Sequence, residues 1–125
     1  MPTQPTRDPM ATLGEVRKIC RALPECTVEG DQHHKISVRG KTMGWHLVDH
    51  HGDGRLALTL KAPRGDNAAL VASEPAKFFL PPYVAHHGYV GIYLDAGTID
   101  WDEIRELIVD AYRLAAPKTL AKLVD

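Results

Sequence analysis

Cysteine is scarce. Cys20 and Cys26 are the two in 125 residues, and they do not fall at a metal-ligand spacing. A disulfide-stapled scaffold is therefore excluded as the source of stability. Cys20 sits on an apolar helix face, where a reduced core thiol is expected; a bridge to Cys26 would need an oxidising compartment that nothing else in the chain suggests. Aromatic residues make up only 6%. No apolar run approaches the roughly 20 residues of a membrane span, and the N-terminus has no apolar signal segment, so a cytoplasmic protein without membrane contact is expected. Neither sign of charge is in excess. The formal net charge is −1, which gives no whole-molecule field toward nucleic acid or membrane. Catalytic signatures are missing too. Ser37 and Ser73 stand in no nucleophile motif, and Gly40-Lys41-Thr42 lacks the upstream glycine and following helix of a phosphate loop.

What is present is one domain's worth of periodic pattern, long enough to bury roughly two thirds of its unfolded surface. Residues 1–11, with Pro2, Pro5 and Pro9, read as a flexible tail and 12–125 as the domain. Thr12 and Glu15 form a capping box ahead of a helix with the stripe Leu13, Val16, Ile19, Cys20 and Leu23, stopped by Pro24. Cys26 to Gly30 reads as a short strand. In the next, Ile36 and Val38 face inward and Lys35, Ser37 and Arg39 outward. After the Gly40-Lys41-Thr42 turn, Met43, Trp45 and Leu47 alternate with His46 and Val48, which assigns Trp45 to the core. His51-Gly52-Asp53-Gly54 is a hairpin turn. Beyond it Leu56, Leu58 and Leu60 face inward, with Arg55, Ala57, Thr59 and Lys61 outward.

Asp66 caps a short helix, Asn67 to Ser73, ended by Pro75. Phe78-Phe79-Leu80 leads into Pro81-Pro82-Tyr83, a stiff extended connection over the surface. Val90, Ile92 and Leu94 then alternate with Tyr89, Gly91, Tyr93 and Asp95 as a half-buried strand. The best-marked helix follows. Asp100 caps it, Glu103 completes a capping box, Ile99 and Ile104 form a staple, and Trp101, Ile104, Leu107, Ile108, Ala111, Tyr112 and Ala115 make its apolar stripe. Pro117 opens a last short helix with Leu120 and Leu123 as its buried side. The expected fold is α+β, a single domain in the order α-β-β-β-β-α-β-α-α, with helices packed on one face of a twisted antiparallel sheet.

The open sheet face carries the most suggestive constellation. Lys35, Arg39, Arg55 and Lys61 project from it, with Lys41 at a turn and Tyr89 and Tyr93 on the last strand. Cations that track phosphates and aromatics that stack on bases are what single-strand binding surfaces use. The same residues would also serve as solvated edge positions that block sheet-to-sheet aggregation. Neutralising about three or four phosphates gives a salt slope near −3. His34 and His46 are expected nearby, adding charge at pH 6. The doublets His33-His34, His50-His51 and His86-His87 invite a metal reading, but strand neighbours point to opposite faces, so each offers one ligand and exposed loop histidines are expected instead. Asp95, Asp100, Asp102, Glu103, Glu106 and Asp110 surround the long helix, and stabilisation of its first turn through the helix dipole accounts for the carboxylates there.

Read in order, Leu23-Pro24, Val38-Arg39-Gly40-Lys41-Thr42, Pro75 with Phe78-Phe79, Pro82-Tyr83, Gly88-Tyr89-Val90, Leu94-Asp95, Asp100-Trp101-Asp102-Glu103, Asp110-Ala111-Tyr112-Arg113 and Ala116-Pro117 resemble the MmcQ/YjbR family of small bacterial proteins. The resemblance covers nearly everything from Leu13 to Leu123; many relatives have tryptophan where Tyr89 stands. It implies an antiparallel sheet with helices across one face, similar to the frataxin-like fold and described as a double wing. It also implies the DNA-binding label the family commonly carries, and it supplies no catalytic residues. Frataxin-type iron handling would need an acidic first helix, whereas Arg17, Lys18 and Arg21 oppose Glu15 here. The expectation is a non-enzymatic protein that binds DNA or other nucleic acid through Lys35, Arg39, Lys41, Arg55, Lys61, Tyr89 and Tyr93, without cofactor or metal. Two alternatives stay open: a protein-interaction or homodimerisation module, and a small-molecule or enzymatic site in the groove beneath Pro81-Pro82-Tyr83.

Overall fold

Six strands form one sheet in the order β1-β2-β3-β4-β6-β5, every neighbouring pair antiparallel. The computed structural model describes residues 8–49 and 52–124. The expected tail up to residue 7, the doublet His50-His51 and the start of the turn expected at His51-Gly52-Asp53-Gly54 lie outside them. The elements are α1 (Pro9–Arg21), β1 (Cys26–Gly30), β2 (His34–Val38), β3 (Lys41–Val48), β4 (Leu56–Lys61), α2 (Asp66–Ser73), β5 (Phe78–Phe79), β6 (Tyr89–Tyr93), α3 (Trp101–Ala115) and α4 (Lys118–Ala121). The order expected from the sequence holds, with one addition. The Phe78-Phe79 connection pairs with Ile92 and Gly91 as an edge strand.

The core lies between one sheet face and the helices. Leu56, Leu58 and Leu60 of β4 and Val90 and Ile92 of β6 pack against Ile104, Ile108, Ala111 and Tyr112 of α3, all buried as their periodicity requires. Asp100 caps α3, accepting from the N–H groups of Asp102 and Glu103 at 3.1 and 3.2 Å. Glu103 does not reach back to complete the box. Its carboxylate takes the Lys77 ammonium at 2.7 Å and ties α3 to the approach to β5. Leu120 of α4 is buried, but Leu123 is 68% exposed because the helix ends before it.

The first helix starts earlier than expected. Asp8 accepts from the Met10 N–H at 3.0 Å, and Pro9 occupies the first helical position, where no N–H is needed. Thr12 is therefore not a cap. It is fully buried, its hydroxyl donates to the Pro9 carbonyl at 3.1 Å, and it lies 2.9 Å from His46 Nε2. With the Thr12 proton committed to Pro9, His46 Nε2–H is the donor in that second bond. Nδ1 of His46 and of its cross-strand partner His34 are buried without a hydrogen-bond partner among the described residues.

His46 is there because of a β-bulge. Ile36 pairs with Gly44 and Ser37 with Thr42, so Met43 is an extra residue on β3. Met43 and Gly44 consequently both lie on the helix side, and the alternation beyond them is inverted relative to the simple period. His46 turns inward to 1% exposure and Trp45, at 36%, turns out. The assignment of Trp45 to the core and of His34 and His46 to the open face is thus corrected. Both histidines are buried, and His46 is pushed down to about 4 by burial and by the charges of His34 and His33.

Two outcomes follow. Gly44→Ala would place a Cβ against the Thr59 carbonyl and the Leu60 side chain, prising β3 from β4; a loss of about 1–3 kcal/mol is expected in a urea titration. The unfolded chain protonates His46 near 6.5, the folded chain only near 4, so its contribution is complete above 6.5 and lost as pH falls through that window. The thermal midpoint should decline from pH 6.5 to 4, and His46→Leu should flatten that part of the profile.

Candidate functional site

The sheet's second face is not open. Trp45 and Leu47 from β3, Ala57 and Thr59 from β4, and Phe79 from β5 form a floor and wall. The chain 81–84 arches over it as a strap, and the cavity between them measures about 430 Å³. Pro81, Pro82, Tyr83 and Val84 form its cover, while His33, Asp53 and Arg55 supply polar groups at its margin. Ala57 and Thr59, expected to face solvent, are 4% and 3% exposed because they lie at the bottom.

Local chemistry fixes the strap at both ends. Pro81 and Pro82 stiffen its start, and the Ala85 N–H donates to the Pro81 carbonyl at 3.0 Å. A 3-10 turn, Ala85–His87, ends at Gly88, whose φ of 90° suits glycine. The buried Asn67 amide of α2 donates to the carbonyls of Ala85 and Tyr89 at 3.0 and 3.1 Å, pinning the far end. Tyr83 has φ of 70° and is 82% exposed. An aromatic residue in that left-handed region costs of order 1–3 kcal/mol, a kind of strain that clusters at ligand clamps.

Below the strap, side chains interlock. Phe79 lies over Gly91, where any Cβ would strike its ring. The same ring stacks on Tyr93, centroids 4.5 Å apart, and the Arg55 guanidinium lies 3.9 Å from the Tyr93 centroid. Arg55 also makes a two-pronged bond to Asp95, 2.9 and 2.7 Å, and Asp95 accepts from the Leu56 N–H at 2.9 Å. The Arg55 hydrogen bonds hold the Asp95 carboxyl below the usual range despite partial burial, and the same bonds raise Arg55.

The seven residues expected to form a nucleic-acid surface fall into three groups. Lys35, Arg55, Lys61, Tyr89 and Tyr93 do share the second face, as their register partners show. Lys41 begins β3 and is exposed. Arg39 leaves the set. With Gly40 it forms the hairpin turn between β2 and β3 at φ of 48° and 78°, and its guanidinium clasps Glu25 at 2.9 Å on both prongs. The tyrosines are engaged as well. Tyr89 is buried with its hydroxyl on the Thr42 carbonyl at 3.4 Å, and Tyr93 is held between Phe79 and Arg55. The aromatics that reach the cavity and solvent are Trp45 and Tyr83. Trp45 was missed as a surface residue because the bulge inverts its strand; Gly44, a glycine inside a strand pattern, was the available signal. Among the described residues no three His, Cys, Asp or Glu side chains converge as metal ligands.

A YjbR family model matches residues 21–114. Uncharacterised proteins of Mycobacterium bovis and Mycobacterium tuberculosis are 29% identical over 127 aligned residues, covering 90% of this chain and 95% of theirs. The crystal structure of the Deinococcus radiodurans protein DR2400, family-model domain DUF419, superposes with a TM-score of 0.71 at 22% identity, covering 94% of this chain and 90% of that one. That likeness is one of fold: the same sheet with helices on one side.

The Arg55–Asp95 clasp gives a direct test. Asp95→Asn keeps the shape but removes the charge that holds Arg55 over Tyr93 and weakens the acceptor for Leu56. A stability loss of about 1–3 kcal/mol at pH 7 is expected from chemical denaturation. Because the folded Asp95 stays ionised below the usual carboxylate range, the parent loses this advantage as pH falls beneath that range, and the variant should converge on it there.

Proposed function

The chain belongs to the YjbR family, and we propose that it acts as a non-enzymatic binding protein whose site is the strapped groove on the second sheet face. One observation carries the reading. A largely apolar cavity of about 430 Å³ lies within the size of ordinary ligand sites, and rings line it: Trp45, Phe79, Pro81, Pro82 and Tyr83. Flat apolar surfaces of that kind favour a planar aromatic or heteroaromatic ligand. Thr59, His33 and Asp53 bring polar groups to the cavity's lining. Strained Tyr83 supports the same reading, since its ring stands at the mouth.

A second reading keeps the nucleic-acid expectation in narrower form. Lys35 and Lys61 share the groove's face and Lys41 is exposed at the start of β3. Single-stranded nucleic acid with one base in the groove and its phosphates near these lysines would use both features. Its charge is limited, because Arg39 and Arg55 are committed to Glu25 and Asp95, and Glu29 stands directly across from Lys35.

The aromatic dye anilinonaphthalene sulfonate tests the first reading, with quenching of Trp45 as a second readout. The parent should bind it stoichiometrically, and Trp45→Ala and Ala57→Phe, which respectively remove a wall and fill the floor, should each weaken binding about tenfold, or 1.4 kcal/mol. Absence of binding by the parent, or parental affinity in both variants, would overturn it. An oligothymidylate added at low salt should displace the dye if the second reading holds, with a salt slope of about −2 for three phosphates on a single strand. Dye binding untouched by the oligonucleotide leaves the groove a small-molecule site.

A further inference from the structure

At the opposite edge of the molecule, far in the sheet order from the groove, two thiols meet. Cys20 lies in the last turn of α1 and Cys26 opens β1. Both are free, Cys20 buried at 2% exposure and Cys26 partly exposed. The topology brings the two side chains to one place, the end of α1 against the start of β1. A surface cavity of about 100 Å³ opens onto both sulfur-bearing residues, and Arg17, Arg21 and Val28 complete its lining.

The loop joining the two cysteines is held from outside. The Tyr112 hydroxyl of α3 donates to the Pro24 carbonyl at 2.7 Å. Arg39 grips Glu25, itself at φ of 59°, and the Cys26 N–H donates to the Leu23 carbonyl at 3.2 Å. These bonds fix the loop that brings both free cysteines to one cavity. The pairing is unequal. Cys26 is partly exposed and Cys20 is buried, and Arg17 and Arg21 line the cavity they share. An exposed thiol near cations is the reactive kind, and a buried neighbour is suited to resolve it.

We propose that Cys26 and Cys20 form a hydroperoxide-sensitive pair, Cys26 being the attacking sulfur and Cys20 the resolving one. The Cys26 thiolate attacks hydrogen peroxide; an S–O bond forms, the O–O bond breaks, and the departing hydroxide takes a proton to leave as water. The Cys20 sulfur then attacks the Cys26 sulfenic acid. An S–S bond forms, the S–O bond breaks, and the hydroxyl leaves as a second water with the Cys20 proton. Two thiols and one peroxide thus yield one disulfide and two waters, sulfur being oxidised and peroxide oxygen reduced. The neighbouring Cys20 thiol lowers Cys26, although burial acts in the other direction, and Cys20 is raised by its Cys26 neighbour and by burial. The product would staple the end of α1 to the start of the edge strand.

The test uses the reduced full chain, titrated with hydrogen peroxide, alkylated with N-ethylmaleimide after unfolding and weighed intact. The expected product is a monomer lighter by two hydrogens that takes up no maleimide, with both thiols recovered after dithiothreitol. Cys20→Ala should halt at a Cys26 sulfenic acid that dimedone traps, and Cys26→Ala should consume peroxide more slowly by about tenfold or more. Two maleimides on the oxidised parent, a disulfide-linked dimer in place of the internal bond, or unchanged peroxide consumption in Cys26→Ala would each overturn the assignment. Circular dichroism of both alanine variants separates a loss of chemistry from a loss of fold.

Discussion

The extra residue in β3 decides what each face of this sheet becomes. A strand's side chains alternate with period two, so a single insertion exchanges inside for outside along everything that follows. Here Met43 is the insertion and Gly44 sits beside it on the helix side, packed so close to the Thr59 carbonyl that a methyl group would not fit. Beyond that point His46 goes under α1 to meet Thr12, while Trp45 and Leu47 turn to the second face. Without the bulge the groove would have no tryptophan wall and α1 no hydrogen-bonded partner in the sheet. One irregularity therefore couples the docking of the first helix to the shape of a cavity on the other side of the sheet.

Much of the fold was legible because its signals are local. Asp100 ahead of the α3 stripe, the Leu56-Leu58-Leu60 alternation and the Pro24 stop each depend on neighbours within a turn or a strand, and each stands in the structure as the periodicity requires. The failures are nonlocal. Nothing close to Thr12 says that its hydroxyl serves a histidine 34 positions away, and a Thr-Glu spacing imitates a cap that Asp8 and Pro9 supply. Alternation alone makes the second face open, with Ala57 and Thr59 on it, and they do point there. What alternation cannot report is the segment arching back from 81–84 to cover them. The notion of a groove beneath Pro81-Pro82-Tyr83 was available from proline stiffness alone, but its volume and its tryptophan wall were not.

The arginines expected on the binding face are answered within the protein. Arg39 has Glu25, Arg55 has Asp95, and Lys77 has Glu74 and Glu103. The pairs with partial burial do structural service. Arg55 and Asp95 close the end of the β4–β6 ladder and hold Tyr93 against Phe79, which in turn braces the strap. The exposed Arg39–Glu25 clasp steadies two residues in the left-handed region rather than adding much stability of its own, since exposed pairs are screened by water. A cation bound to its own carboxylate is a poor place for a phosphate, so counting lysines and arginines along the sequence overstates the positive face.

For a ligand of the proposed kind, magnitudes favour contact over charge as the driving force in the groove. A planar ring system that loses about 150–250 Å² of apolar surface on entering gains roughly 4–6 kcal/mol from that area alone. Each exposed lysine facing a phosphate is worth at most about 1 kcal/mol, and less as salt rises. Association also costs translational freedom, so the apolar contribution must be realised nearly in full for binding to be measurable. A pre-formed wall achieves this better than a mobile one. The stacking of Phe79 on Tyr93, the two prolines and the Asn67 anchor all restrict motion before any ligand arrives. Tyr83 is the exception, exposed and strained at the mouth, and its left-handed backbone holds conformational energy that contact with a bound ring would offset.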